Sequence, residues 1–467
     1  MSLHRRPLLI RLSLAVLVGG ALLVPHAQTQ APAPVPWLDP YREVATRLIE
    51  ASTSDDFAWR RLAELTDTYG HRLSGSESLN RAAAWAVETM TRDGLENVRT
   101  ESVMVPHWVR GRESAEMTVP PRHSLTMLGL GGSVGTPAEG IEAEVIVVSS
   151  FADLRARAAE VSGRIVLFNA PFTTYGSTVT YRTGGARAAS QLGAVAALVR
   201  SVGPTGLRTP HTGSLQYGEG VDPIPAAAIA AEDADRILRL RARGVPVRVR
   251  LTMDAHTEAD VESANVIGEI RGRGRPQEVV LLGGHLDSWD VGTGASDDAV
   301  GCIVTWEAAR LMIKLGIRPR RTVRIVLWAN EENGLRGAAA YAARYAAHAA
   351  DHVLAVESDS GVFAPANIGF SGSAAARSMV RDIGTLLTPI GLAEIAEGGG
   401  GADIGPIAQA GDVPMLAYLG NPARYFAIHH TPADTVERIA PDEVSKAAAA
   451  LAVMAYVVAE MPERLPK

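Results

Sequence analysis

The sequence predicts an α/β fold: a mostly parallel central sheet covered by helices, with a small β-rich domain inserted into it. Two observations carry this. In the C-terminal half, short apolar runs alternate with segments of helical period, the pattern of a parallel sheet covered on both faces. Between Arg112 and Ala255 that alternation gives way to compact β runs that need a core of their own.

Taken in order, Tyr41–Ser52 and Asp55–Tyr69 carry apolar residues at helical spacing, with Asp55 placed to cap the second. A long helix over Glu77–Asp93 is stopped by Gly94, and Val98–Val105 and Ala115–Val119 alternate as strands. The inserted stretch offers strands at Val145–Ser149, Arg164–Asn169, Ala194–Arg200, Ile224–Ala230 and Val245–Met253. Helices over Gly184–Leu192 and Ala231–Arg243 lie among them. The sheet resumes with strands near Asn265–Ile270, Val279–Gly283, Val323–Trp328, Val353–Val356 and Pro414–Tyr418. Helices over Asp297–Leu315, Gly334–Ala349, Ala374–Leu387 and Pro441–Met461 alternate with those strands or follow them.

At 467 residues the chain has room for two or three domains. A net charge of −6 with no basic stripe argues against a nucleic-acid partner. Arg271, Arg273 and Arg275, interleaved with Gly272, Gly274 and Pro276, read as a solvated turn. Lys314, Lys446 and Lys467 are the only lysines, which leaves little scope for Schiff-base chemistry. The single cysteine, Cys302, reads as a small buried hydrophobe and cannot form an internal disulfide.

The N-terminus has the layout of a secretory signal: basic residues to Arg11, an apolar run Leu12–Val24, and small residues around Ala27. That run is shorter than the ~20 residues of a spanning helix. The expected organisation is a signal over 1–27, a Pro-rich linker over 28–37, a catalytic domain over 38–111 and 256–467, and the insertion over 112–255. An exported protein follows, periplasmic or secreted, with no stable membrane association once the signal is removed.

The chemistry is concentrated at the ends of the apolar runs. His285 follows Leu281–Gly284, and Asp287, two residues on, is placed to orient its imidazole. Asp297 lies in the glycine-bounded loop Gly292–Gly301. There Ser296 or Asp297 caps the following helix, or Asp297 bridges two cations; the two roles are compatible, because the helix N-terminus would fix the loop. Glu331 and Glu332 follow the strongest apolar run and divide into two roles, Glu332 as a metal ligand and Glu331 as general base. Asp359 follows the next run as a terminal ligand, with Glu357 a weaker candidate, and His429–His430 sit on a late loop. Histidines and carboxylates converging at the carboxyl ends of parallel strands suit a pair of hydrolytic divalent metals.

The ordered series Gly-His-Leu-Asp, Gly-Ala-Ser-Asp-Asp, Asn-Glu-Glu-Asn-Gly, Glu-Ser-Asp-Ser-Gly and His-His-Thr-Pro-Ala-Asp-Thr resembles the M28 family of co-catalytic zinc peptidases, and within it the carboxypeptidase Q group. Gly184–Arg200 and Pro223–Ala230 resemble a protease-associated (PA) domain. The resemblance implies two zinc ions, other divalent metals being an alternative. His285 and Asp359 would hold one, Glu332 and His430 the other, and Asp297 would bridge them. It implies a cis Asp297–Asp298 peptide and a place for His429 beside the developing oxyanion. It also implies short peptide substrates with a free α-amine, cut by dipeptidase or aminopeptidase action, and a homodimer. Gly398–Asp403 is a candidate pocket loop, with Gly400 lining it and Asp403 offering charge to the amine. The rival readings are a true carboxypeptidase, an acyltransferase like glutaminyl cyclase, and a non-catalytic binding protein on the same fold.

Overall fold

The computed structural model describes residues 35–467, so the expected signal, and all of the linker before Val35, lie outside the described residues. Two eight-stranded sheets organise them. In the first, the strands Arg321–Trp328, Arg275–His285, His352–Glu357 and Met415–Leu419 run parallel, side by side. Antiparallel strands extend it at both ends: His256–Ile270 and Glu96–Val109 beyond Arg321–Trp328, and Asn367–Ser371 beyond Met415–Leu419, where Ile395–Glu397 closes the edge.

The four parallel strands are buried almost throughout because helices cover both faces. Val300–Lys314 and Pro441–Glu460 pack against one face and each other. Tyr341 of Arg336–Arg344 and Ile407 of Gly405–Gly411 join Val279, Leu281, Val326 and Ala355 in a core on the other. Each fully buried Val, Leu or Ile side chain among them contributes roughly 1.5–3 kcal/mol.

The second sheet takes all its strands from Glu113–Met253. Its centre is again parallel: Ile141–Val148, Ile165–Phe168, Ala196–Arg200 and Ala226–Ile229. The chain leaves the first sheet along Glu96–Val109 and re-enters it along His256–Ile270, the antiparallel neighbour of the strand it left.

Several element boundaries differ from the sequence reading. Asp56, not Asp55, stands at the helix boundary; the Asp55 carboxylate accepts the Phe57 N–H at 2.9 Å. The helix expected from Asp297 starts at Val300, after a tight turn over Ala295–Ala299 that contains a cis Asp297–Asp298 peptide. The helix expected over Gly334–Ala349 ends at Arg344 and continues as a 3₁₀ segment, Ala346–Asp351. The strands His123–Leu125, Met127–Gly129, Asn367–Ser371 and Ile395–Glu397 were not expected; three to five residues are too few to display a period of two. Cys302 is buried, as its surroundings suggested.

Candidate active site

Three strand ends and two loops meet at one ring of donors. His285 ends its strand, Glu332 and Asp359 follow the two flanking strands, and Asp297 and His430 come from loops. His285 Nε2 lies 3.2 Å from Asp297 Oδ1 and 3.6 Å from Asp359 Oδ1. His430 Nε2 lies 3.1 Å from both Asp297 Oδ2 and Glu332 Oε2. Asp297 is therefore common to two clusters. His429 Nε2, 3.4 Å from Asp297 Oδ2, stands close enough to compete with Glu332 for a place in the second.

The supports of the first cluster are local. The Nδ1 of His285 donates to the Asp287 carbonyl at 2.9 Å, and its backbone N–H donates to Asp298 Oδ2 at 3.0 Å. Thus the Asp287 main chain, rather than its carboxylate, orients the imidazole. The carboxylate instead accepts the backbone N–H groups of Glu331 (3.1 Å) and Glu332 (3.3 Å) and the Ser74 hydroxyl (3.2 Å). It fixes the turn that carries both glutamates.

The second cluster leans on the other sheet. His430 has φ of +60°, a left-handed conformation that costs a non-glycine residue about 1–3 kcal/mol. Its carbonyl accepts the Thr212 N–H at 3.0 Å, and its Nδ1 donates to the Thr212 carbonyl at 3.2 Å. His211 Nδ1 donates to the His429 carbonyl at 2.6 Å. Burial holds the His211 ring neutral, pushing its pKa down to about 3. The Trp289 N–H donates to Glu332 Oε1 at 3.2 Å, and its indole sits so close to Gly131 that a Cβ there would lie 2.0 Å from the ring. Only glycine fits at that contact.

Asp434 ties the ring together. Its two carboxylate oxygens accept the N–H groups of Ser296 (2.8 Å) and Asp297 (3.1 Å). Asp434 belongs to the His-His-Thr-Pro-Ala-Asp-Thr motif, but nothing local in the sequence assigns it this task. Arg182, His211, Thr212 and Trp289 were likewise not singled out.

With Nδ1 of His285 and of His430 each facing a carbonyl, both Nε2 lone pairs point among carboxylate oxygens. Such an arrangement is repulsive unless a cation or proton intervenes. Burial opposes a charge on His285, but the carboxylates of Asp297 and Asp359 outweigh it and hold the pKa well above the ordinary range. His285 Nε2 and Asp297 Oδ2 are both buried without a hydrogen-bond partner. Donors about 2.1 Å from a tetrahedral zinc stand about 3.4 Å apart, close to the spacing found in the ring. The residues fit a divalent metal.

A cavity of about 520 Å³ is lined by Asp297, Glu331 and Tyr425 and, from the second-sheet unit, by Tyr175, Arg182 and Gln216. Burial, reinforced by the charges of Asp359 and Glu332, pushes the Glu331 carboxyl well above its usual range against the pull of His285. Gly400 and Asp403 are not among the residues lining this cavity, contrary to expectation. Asp403 is 1% exposed, with neither carboxylate oxygen hydrogen-bonded, and Glu357 and Glu331 are among its charged neighbours. Glu357 turns away to accept the Ile404 N–H at 2.9 Å.

The profile of Peptidase family M28 matches residues 265–455, which contain every proposed metal ligand. Human carboxypeptidase Q is 45% identical over 410 residues, 88% of this chain and 87% of its own length. The rat protein of that name is 45% identical over 430 residues, 91% of each chain. A peptidase M28 precursor from Shewanella amazonensis, 35% identical, superposes with a TM-score of 0.88 over 92% of this chain and 99% of its own. A zinc aminopeptidase from Bacillus subtilis shares the fold at 19% identity, with a TM-score of 0.66 over 87% of this chain and 96% of its own. The chain is a metallopeptidase belonging to peptidase family M28, in the carboxypeptidase Q group.

Proposed function

We propose that the chain is a two-zinc exopeptidase that hydrolyses dipeptides or removes the N-terminal residue of short peptides. The observation that carries this is the shared Asp297 carboxylate, with one oxygen toward His285 and the other toward His430, each imidazole presenting Nε2. His285 and Asp359 would hold one ion, Glu332 and His430 the other, and Asp297 both. The description of the Bacillus subtilis neighbour as a zinc aminopeptidase supports the choice of metal and reaction.

Bound ions supply Lewis acidity and lower the pKa of water. The chain's own contribution is placement and proton transfer. Glu331, in the cavity wall, takes a proton from the water that attacks the peptide carbonyl and returns it to the departing nitrogen. Neutralising Asp359 and Glu332 by metal binding removes two of the causes that raise the Glu331 pKa. Asp287 holds the turn that aims Glu331. His429, stacked 3.5 Å from His430, is read as a donor beside the developing oxyanion. The unit over 112–255 is read as a PA-like insertion that braces the site. Export rests on the N-terminal signal pattern.

The test is hydrolysis of a dipeptide and its N-acetylated twin by purified, zinc-loaded protein. Cleavage of the free form alone is expected. Equal cleavage of both would return the reading to a carboxypeptidase, and cleavage of neither would overturn the exopeptidase assignment.

A further inference from the structure

Arg182 belongs to the helix Tyr175–Ser190 of the second-sheet unit, far in sequence from every proposed ligand, yet it lines the catalytic cavity. No other arginine or lysine does so among the described residues. The side chain is 4% exposed, and the groups that accept from it are neutral: the Thr212 carbonyl at 3.2 Å and the Tyr175 hydroxyl at 2.8 Å; His430 Nδ1, 3.4 Å away, donates to the Thr212 carbonyl and so does not accept from it. Its Nε has no partner, and no carboxylate lies within ion-pair distance among the described residues.

A buried guanidinium without an anion is costly, and buried charges are ordinarily paired. The acids of the donor ring do not serve as its counterion, because the proposed function commits them to cations. Two of the five guanidinium N–H groups are used by Thr212 and Tyr175, which leaves donors for an incoming acid. What completes the site is therefore an anion delivered through the cavity. A peptide whose α-amine faces the acidic ring carries a carboxylate at its other end, and a dipeptide carries it one residue beyond the scissile bond.

We propose that Arg182 receives the terminal carboxylate of a dipeptide substrate, so that the second-sheet unit reads the length of the peptide while the first sheet cuts it. This rests on the exopeptidase reading above. Its consequence is a preference, in kcat/KM, for a dipeptide acid over the same dipeptide C-terminally amidated. A charge-assisted hydrogen bond places that preference at roughly 10–100-fold.

The experiment measures kcat/KM for Ala-Ala, Ala-Ala-amide and Ala-Glu-amide with zinc-loaded wild type, Arg182→Met and Arg182→Lys. In the wild type the acid is expected to exceed both amides. The acid-to-amide ratio should fall to near one in Arg182→Met and take an intermediate value in Arg182→Lys, which keeps the charge but not the planar fork. A wild-type ratio near one would overturn the proposal even if Arg182→Met fails to fold. So would a ratio unchanged in a folded Arg182→Met, the result expected if the side chain only braces Thr212. Preference for Ala-Glu-amide over Ala-Ala would assign Arg182 to an acidic side chain and overturn the terminal reading. Failure to cleave any of the three would count against the exopeptidase reading instead.

Discussion

The two halves of the donor ring are built differently. The His285 half is held from within the first sheet: its imidazole by the carbonyl two residues on, its backbone by Asp298, and Asp359 by the end of the next strand. The His430 half is held from outside. Thr212 and His211, 218 residues away in sequence, grip the His429–His430 backbone and the His430 ring, and Trp289 braces Glu332 while packed on Gly131. One half is thus a property of strand register. The other depends on a second unit staying in place, which is a means of coupling that unit to the chemistry.

Asp297 is common to both halves, so Asp297→Asn should have the largest effect. The expected outcome is loss of both metals together and of all measurable peptidase activity, read by elemental analysis beside a dipeptide assay. Glu331→Gln comes next, with kcat lower by roughly 10²–10⁴-fold. Its metal content should stay at the wild-type value; parallel loss of metal and rate would remove Glu331 from the general-base role.

His211→Ala sharpens the contrast between the halves. It should weaken one ion by roughly 10–100-fold, the scale of an outer support to a metal ligand. The other ion should be unaffected, and His211→Asn, which restores an N–H donor, should recover part of the loss. Competition with a chelator would separate the two ions.

Acid inactivation of the site needs to be told apart from acid unfolding, and His352 supplies the distinction. Remote from the donor ring, it hydrogen-bonds the Tyr341 hydroxyl and the Ala349 carbonyl, and burial, aided by Arg324, pushes its pKa down to about 4. The folded protein therefore resists a proton that the unfolded chain accepts at its ordinary pKa near 6.5. Stability from this group is whole above that value and falls as pH drops toward 4, by up to about 3 kcal/mol. In urea unfolding, His352→Gln should lose less stability between pH 7 and 4.5 than the wild type. An equal loss would assign the acid sensitivity elsewhere.

The same asymmetry explains what could be read from the amino-acid sequence. His285, Glu331, Glu332 and Asp359 stand directly after apolar runs, and the run fixes where the strand ends, so their convergence was legible. Asp297 was legible from its glycine-bounded loop, though the helix behind it begins three residues later, at Val300, because Asp297 and Asp298 have non-helical backbone angles. Asp287 was placed correctly but given the wrong contact, since whether a carbonyl or a carboxylate faces the ring depends on turn geometry that spacing does not specify. The supports of His430 left no local pattern. Arg182 lies on a helix, and His211 and Thr212 in a loop, of the other sheet, and only the packing of the two units brings them to the site. Asp403 illustrates the converse: charge alone suggested a pocket residue, and burial removed it from the cavity wall.

The most direct test of this asymmetric two-metal site is a zinc titration of metal-free wild type and His211→Ala by calorimetry. Two ions per wild-type chain are expected, and in the variant one ion of unchanged affinity beside one bound markedly more weakly. A single ion in the wild type, or equal weakening of both in the variant, would contradict this.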